Sequence, residues 1–183
     1  MKKTNLILML SALSFVGCTQ PSLNSEAKKY INTSTKYSIK SVNVTFPDTL
    51  LNFKKEQRFY PNENKLAQMF KQNIHTQLSR QNMACTAASN CVDLLVDINY
   101  MRTFNLNSNT VGAPKYSKKV TMNQDSNILY TTTSSNLTVS RGIMGNMAVL
   151  TNLGNQKPNL LDEKKDIGVI SKDIVKDIIK LSR

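Results

Sequence analysis

Every second residue from Val92 to Tyr100 is apolar. Val92, Leu94, Val96, Ile98 and Tyr100 share one phase, and Asp93, Leu95, Asp97 and Asn99 fill the other. Successive side chains of an extended chain point to opposite faces, so this run is a strand with one apolar and one mostly polar face. Such a strand is stable only within a sheet whose apolar face is covered by a second layer. Two helical stripes supply that layer. Leu66, Met69, Phe70, Ile74 and Leu78 recur at spacings of three and four, with Lys65, Gln68, Lys71, Gln72 and His75 on the opposite side. Pro61-Asn62-Glu63-Asn64 marks the start of this helix, which should end near Asn82. Ile167, Ile170, Ile174, Ile178 and Leu181 form the second stripe, widened by Val175 and Ile179. Asp162, Glu163 and Asp166 near its start, and Lys176, Lys180 and Arg183 towards its end, suit the helix dipole.

Further strands are expected at Ile39–Phe46, Tyr116–Met122 and Asn127–Thr133, the last two around Gln124-Asp125-Ser126. Asn107 to Pro114 is turn-rich. The order β-α-β-β-β-α predicts an α+β two-layer sandwich, a mainly antiparallel sheet with two helices on one face. The apolar, glycine-bounded stretch 141–157 is compatible with a helix, a buried strand or a loop. Its Ile143, Met144, Met147, Val149, Leu150 and Leu153 are candidate contacts to a partner.

The N-terminus has a different character. Met1-Lys2-Lys3-Thr4-Asn5 is basic, Leu6 to Val16 holds no charge, and Phe15-Val16-Gly17-Cys18 follows. This is the pattern of a bacterial lipoprotein signal, too short for a spanning helix of about 20 apolar residues. Residues 1–17 are expected to be removed and Cys18 to carry diacylglycerol and further acyl chains such as palmitate. Residues 18–36, rich in Ser, Thr and Asn, are expected to be a flexible tether. Residues 37–183 then form one α+β domain.

The full chain carries +12, and removal of Lys2 and Lys3 leaves +10. That charge favours anionic surfaces such as phospholipid, lipopolysaccharide or cell-wall glycan. Export and the lack of any nucleic-acid motif argue against nucleic acid. Lys54-Lys55 and Lys118-Lys119 are the candidate anionic-ligand contacts. In an oxidising compartment Cys85 and Cys91, with five residues between them, are expected to form a disulfide.

Catalytic chemistry finds little support. The chain has neither the phosphate-cradling G-x-x-x-x-G-K-[ST] nor the G-x-S-x-G elbow. His75 is the single histidine, on a polar helix face. Asp93 and Asp97 lie roughly 13 Å apart along a strand, beyond the at most about 9.5 Å of paired glycosidase carboxylates. Asp162, Glu163 and Asp166 read as helix-start charges. No catalytic residue, metal site or cofactor is expected.

The lipobox cysteine, tether, first strand, Leu66-to-Leu78 helix and Val92-Asp93-Leu94-Leu95-Val96 together resemble small Gram-negative envelope lipoproteins of the YajG type. The order of elements is also similar to the lipopolysaccharide-assembly lipoprotein that plugs an outer-membrane barrel. In the lipoproteins that this signal resembles, aspartate after the cysteine favours inner-membrane retention. Thr19 stands there and implies the outer membrane. The resemblance implies a lipid-anchored, periplasm-facing accessory or scaffold in an envelope complex, with an envelope protein as partner. The alternative is a binding module for an anionic envelope ligand, including a lipopolysaccharide-assembly role. Cys18→Ser should abolish incorporation of labelled fatty acid and leave unprocessed precursor, whereas unchanged processing would refute the lipobox.

Overall fold

The computed structural model describes residues 23, 27–47, 61–86, 90–102, 104–105, 110–111, 113–140 and 160–183. In chain order the elements are α1 (Ala27–Tyr30), β1 (Lys36–Thr45), α2 (Glu63–Arg80), β2 (Cys91–Met101), β3 (Phe104–Asn105), β4 (Thr110–Val111), β5 (Lys115–Gln124), β6 (Asn127–Thr138) and α3 (Leu160–Leu181). β3 and β4 form a two-stranded ribbon. The main sheet has the order β1-β2-β5-β6. β2–β5 and β5–β6 are antiparallel, as expected. β1 runs parallel to β2, because α2 carries the chain back to the end where β1 began. The α+β sandwich is therefore built on a mixed sheet.

Each strand's inner face follows from its sequence phase. Across the sheet, Ile39, Leu94, Met122 and Tyr130 form one row, and Val42, Val96, Val120 and Thr132 the next. β1 reaches this register through a bulge between Ile39 and Ser41. Tyr37 and Ile39 share one parity, and Val42 and Val44 the other. The extra residue, Lys40, shifts the phase so that both pairs lie in line with the inner-face residues of β2. The β5–β6 turn is tight, with Asp125 and Ser126 at φ 49° and 70°, as a two-residue hairpin requires.

α2 buries Leu66, Phe70, Ile74 and Leu78 and exposes His75. Phe70 meets Tyr100 edge to face at 6.0 Å. The helix starts at Asn62, whose side chain accepts from the Lys65 N–H at 2.9 Å. It stops where Asn82 turns left-handed at φ 53°. Met83 N–H then donates to Leu78 C=O and Asn82 N–H to Ser79 C=O, a Schellman closure. On α3, Ile167, Ile170, Ile174, Val175 and Ile178 are buried.

The packed domain starts earlier than residue 37. Ala27 and Ile31 are buried, and Leu23 packs against the same core. Residues 27–35 therefore belong to the fold and not to the tether. The cause is an apolar repeat at four-residue spacing, Leu23, Ala27 and Ile31, set among polar neighbours. α1 packs on β6 whereas β1 lies at the opposite edge. The chain thus crosses one end of the sheet before entering it.

Gly168 sits inside α3, and a methyl group there would meet Asn73 Oδ1 at 3.9 Å, an ordinary contact. Gly168→Ala should therefore raise stability by about 0.5–1 kcal/mol through helix propensity and unfolded-state entropy. Denaturant midpoints measure this, and a loss would mean that α2 and α3 pack closer than described.

Candidate functional site

The densest chemistry lies between the sheet and α3. Arg102 continues the inward phase of β2, two residues after Tyr100, and is buried. Its guanidinium bonds the Asp166 carboxylate and lies 2.8 Å from Glu163 Oε2. Tyr100 hydroxyl donates to Glu163 Oε1 at 2.5 Å and accepts from Arg102 at 3.3 Å. Glu163 and Asp166, expected as helix-start charges, stand near the start of α3 and are also enclosed ion-pair partners.

A second cluster lies further along α3. Lys118 is 3% exposed and stands on the inner face of β5, in the row of Val44, Ile98 and Ser134. Its ammonium donates to Asp173 at 2.5 Å and pairs with Asp177 at 2.7 Å. Tyr116 hydroxyl donates to Asp173 at 2.8 Å. Burial, the Asp173 hydrogen bond and the charges of Asp173 and Asp177 push the Tyr116 phenol well above its ordinary range. Burial pushes Asp173 upward too. The hydrogen bonds from Lys118 and Tyr116 and the charges of Lys118 and Lys176 together outweigh it, so the carboxyl titrates below 3.8. In each cluster one cation pairs with two carboxylates, one of which also accepts from a tyrosine hydroxyl. Every one of these groups is engaged by another, so the arrangement aligns α3 on the sheet.

This overturns one expectation. Lys118 does not contact an anionic ligand, because its charge is enclosed and satisfied by carboxylates of its own chain. Adjacent residues of a strand face opposite ways, so Lys119 is exposed on the outer face, across from Asp97. Asp97 there accepts from Asn43 at 2.8 Å, and Asp93 lies 3.9 Å from Lys40. Cys18, Lys54, Lys55, Ile143, Met144, Met147, Val149, Leu150 and Leu153 lie outside the described residues. Cys85 and Cys91 stand at disulfide distance, with Cα atoms 5.9 Å apart. Ala84 and Cys91 both pair with the first residues of β1, Tyr37 and Lys36, so a bond between the cysteines clasps the start of that strand. Among the described residues no helix is long and apolar enough to cross a membrane.

The basic residues that do converge are others. Tyr37 hydroxyl lies 2.9 Å from Ser182 Oγ, Tyr37 N–H donates to Met83 C=O, and Lys36 Nζ donates to Asn82 C=O. These bonds gather the start of β1 and the ends of α2 and α3 at one pole, with Lys36, Arg80, Lys180 and Arg183. α1 adds Lys28 and Lys29 at the β5–β6 turn. Of these, all but Lys36 are exposed. No protein-family model matches the chain, and no curated protein matches it.

Both ionic clusters had a sequence signal. Arg102 and Lys118 fall in the apolar phase of their strands, and Asp166, Asp173 and Asp177 fall within the isoleucine face of α3. The basic pole had none, because its residues come from four separate elements.

Asp173 titrates lower folded than unfolded, so its contribution is fully present above about pH 3.8 and disappears as pH falls through its lower folded value. Asp173→Asn should flatten this acid limb in urea midpoints taken from pH 2 to 6. Lys118→Met, which leaves two partly exposed carboxylates without their cation, should cost about 1–3 kcal/mol at pH 7. A neutral Lys118→Met would show that the pairing is solvent-exposed.

Proposed function

We propose that this chain is a lipid-anchored, periplasm-facing lipoprotein of the outer membrane that serves as a non-catalytic accessory in an envelope complex. It engages its partner by strand addition at the edge of the sheet. The observation that carries this reading is β6. It is twelve residues long, lies at the sheet edge and contains no Lys, Arg, Asp, Glu or Pro. Among the described residues no strand pairs with its outer edge. Natural proteins guard such edges with charges, proline, short strands or bulges, because an open ladder templates another strand. β6 has bulges near Leu129 and near Ser135–Asn136, and Tyr130 to Ser134 between them pairs regularly with β5. Within that section Thr131 to Ser134 offer backbone hydrogen bonds to an extended partner segment.

The lipobox supports the anchor, and the proposed oxidising compartment supports a Cys85–Cys91 disulfide. The ionic clusters support a structural use of the buried charges. Thr131 and Thr133 are exposed, so lysines there should guard the edge with a stability change within about 0.5 kcal/mol. Crosslinking in intact cells should capture a defined envelope protein with the parent chain and lose it with Thr131→Lys/Thr133→Lys. Undiminished capture by a folded variant would refute the edge as the contact.

A further inference from the structure

We infer that the basic pole of the sandwich is a seat for an anionic phospholipid surface, so that the domain stands end-on against its own membrane. This rests on the acyl anchor at Cys18 proposed above. Three independent observations meet at this pole.

The first is charge. Lys28, Lys29, Arg80, Lys180 and Arg183 are exposed there, and Lys36 is half-buried. The acids facing them are few. Asp125 is exposed at the β5–β6 turn, and Asp177 lies 3.8 Å from Lys180 while also holding Lys118. The second is apolar exposure. Among the described residues the exposed large apolar side chains are Tyr30 at 47%, Ile128 at 68% and Val169 at 40%. Tyr30 and Ile128 line one open groove of about 460 Å³ between α1 and the start of β6. An aromatic ring and an aliphatic chain flanked by Lys28 and Lys29 match a headgroup boundary. The apolar parts enter it and the ammonium groups meet phosphate. The third is reach. Leu23 packs against the core, so only four residues, or five Cα–Cα steps, separate the packed chain from Cys18. Fully extended they span at most about 18 Å. An acyl chain on Cys18 therefore holds this pole near the bilayer.

A peptide partner would fit the groove but would not account for the short leash or for cations drawn from four elements. The chain has no tryptophan, so a single one reports on its own surroundings. The acylated full chain, carrying either Ile128→Trp or Val169→Trp, is incorporated into vesicles of phosphatidylcholine alone or with phosphatidylglycerol. Both positions are exposed, and circular dichroism is used to check that each variant keeps the fold. Ile128→Trp emission should shift to the blue and be quenched by brominated acyl chains in the phosphatidylglycerol vesicles. High salt should reverse the shift. Val169→Trp, near the Glu163 end of α3, should stay unshifted. Adding Lys28→Gln/Lys29→Gln should lower the seated-to-lifted ratio about 25-fold, about fivefold for each lysine. An incorporated chain whose Ile128→Trp emission is unshifted, or shifts equally at both positions, overturns the end-on seat. A chain that carries no acyl group by mass and fails to enter phosphatidylcholine vesicles overturns the anchor instead. The two failures are thus separable.

Discussion

The alignment of α3 on the sheet depends on two buried cations meeting four carboxylates. The apolar stripe of α3 is nearly uniform, with isoleucine at 167, 170, 174 and 178. A helix with such a stripe packs almost as well after sliding one turn, because Ile170 and Ile174 exchange places at little cost. The ion pairs remove that freedom. Arg102 sits at the end of β2 and takes Glu163 and Asp166, and Lys118 in β5 takes Asp173 and Asp177. Two fixed points on the sheet accept two fixed points on the helix in a single axial position. Desolvation offsets most of the Coulomb gain of buried pairs, so they add alignment more than net stability. Tyr100 hydroxyl satisfies the second Glu163 oxygen, and Tyr116 hydroxyl shares Asp173 Oδ2 with Lys118, so the enclosed charge is further hydrogen-bonded.

β1 shows a comparable economy of means. Its sequence changes phase midway, from Tyr37 and Ile39 to Val42 and Val44. A regular strand would have sent half of these side chains to the polar outer face. One bulged residue at Lys40 restores the phase, and that residue's own side chain turns out towards Asp93. The start of the same strand is held by Ala84, Cys91, Asn82 and Ser182, so the ends of both helices close over the point where the chain enters the sheet.

The layers were legible in the sequence because periodicity reports burial directly. Val92 to Tyr100, Leu66 to Leu78 and Ile167 to Ile178 each bury the face that their spacing marks. The parallel pairing of β1 was not legible, since alternation says which face is inside and nothing about direction. Nor was the early start of the domain, because the four-residue repeat of Leu23, Ala27 and Ile31 has only three members and is set among polar residues. Lys118 was misread for an instructive reason. Adjacent lysines look like one patch in a list of residues, yet a strand sends Lys118 and Lys119 to opposite faces. Phase was the better guide, and by phase Lys118 belonged with Tyr116, Val120 and Met122.

The polarity of the molecule follows from helix direction. α2 and α3 both end at the pole where β1 begins, so both present carbonyl-rich C-termini there and N-termini at the other end. The dipole favours cations near a C-terminus and anions near an N-terminus. Arg80 and Lys180 occupy the last turns, and Glu63 occupies the first turn of α2. Local helix electrostatics therefore accounts for the placement of Arg80 and Lys180 without any ligand. It accounts for Lys36 too, whose ammonium donates to Asn82 C=O at the end of α2, but not for Lys28 and Lys29 or for the exposed Tyr30 and Ile128 beside them. That remainder is what a folding argument leaves unexplained, and it lies where the chain departs towards Cys18.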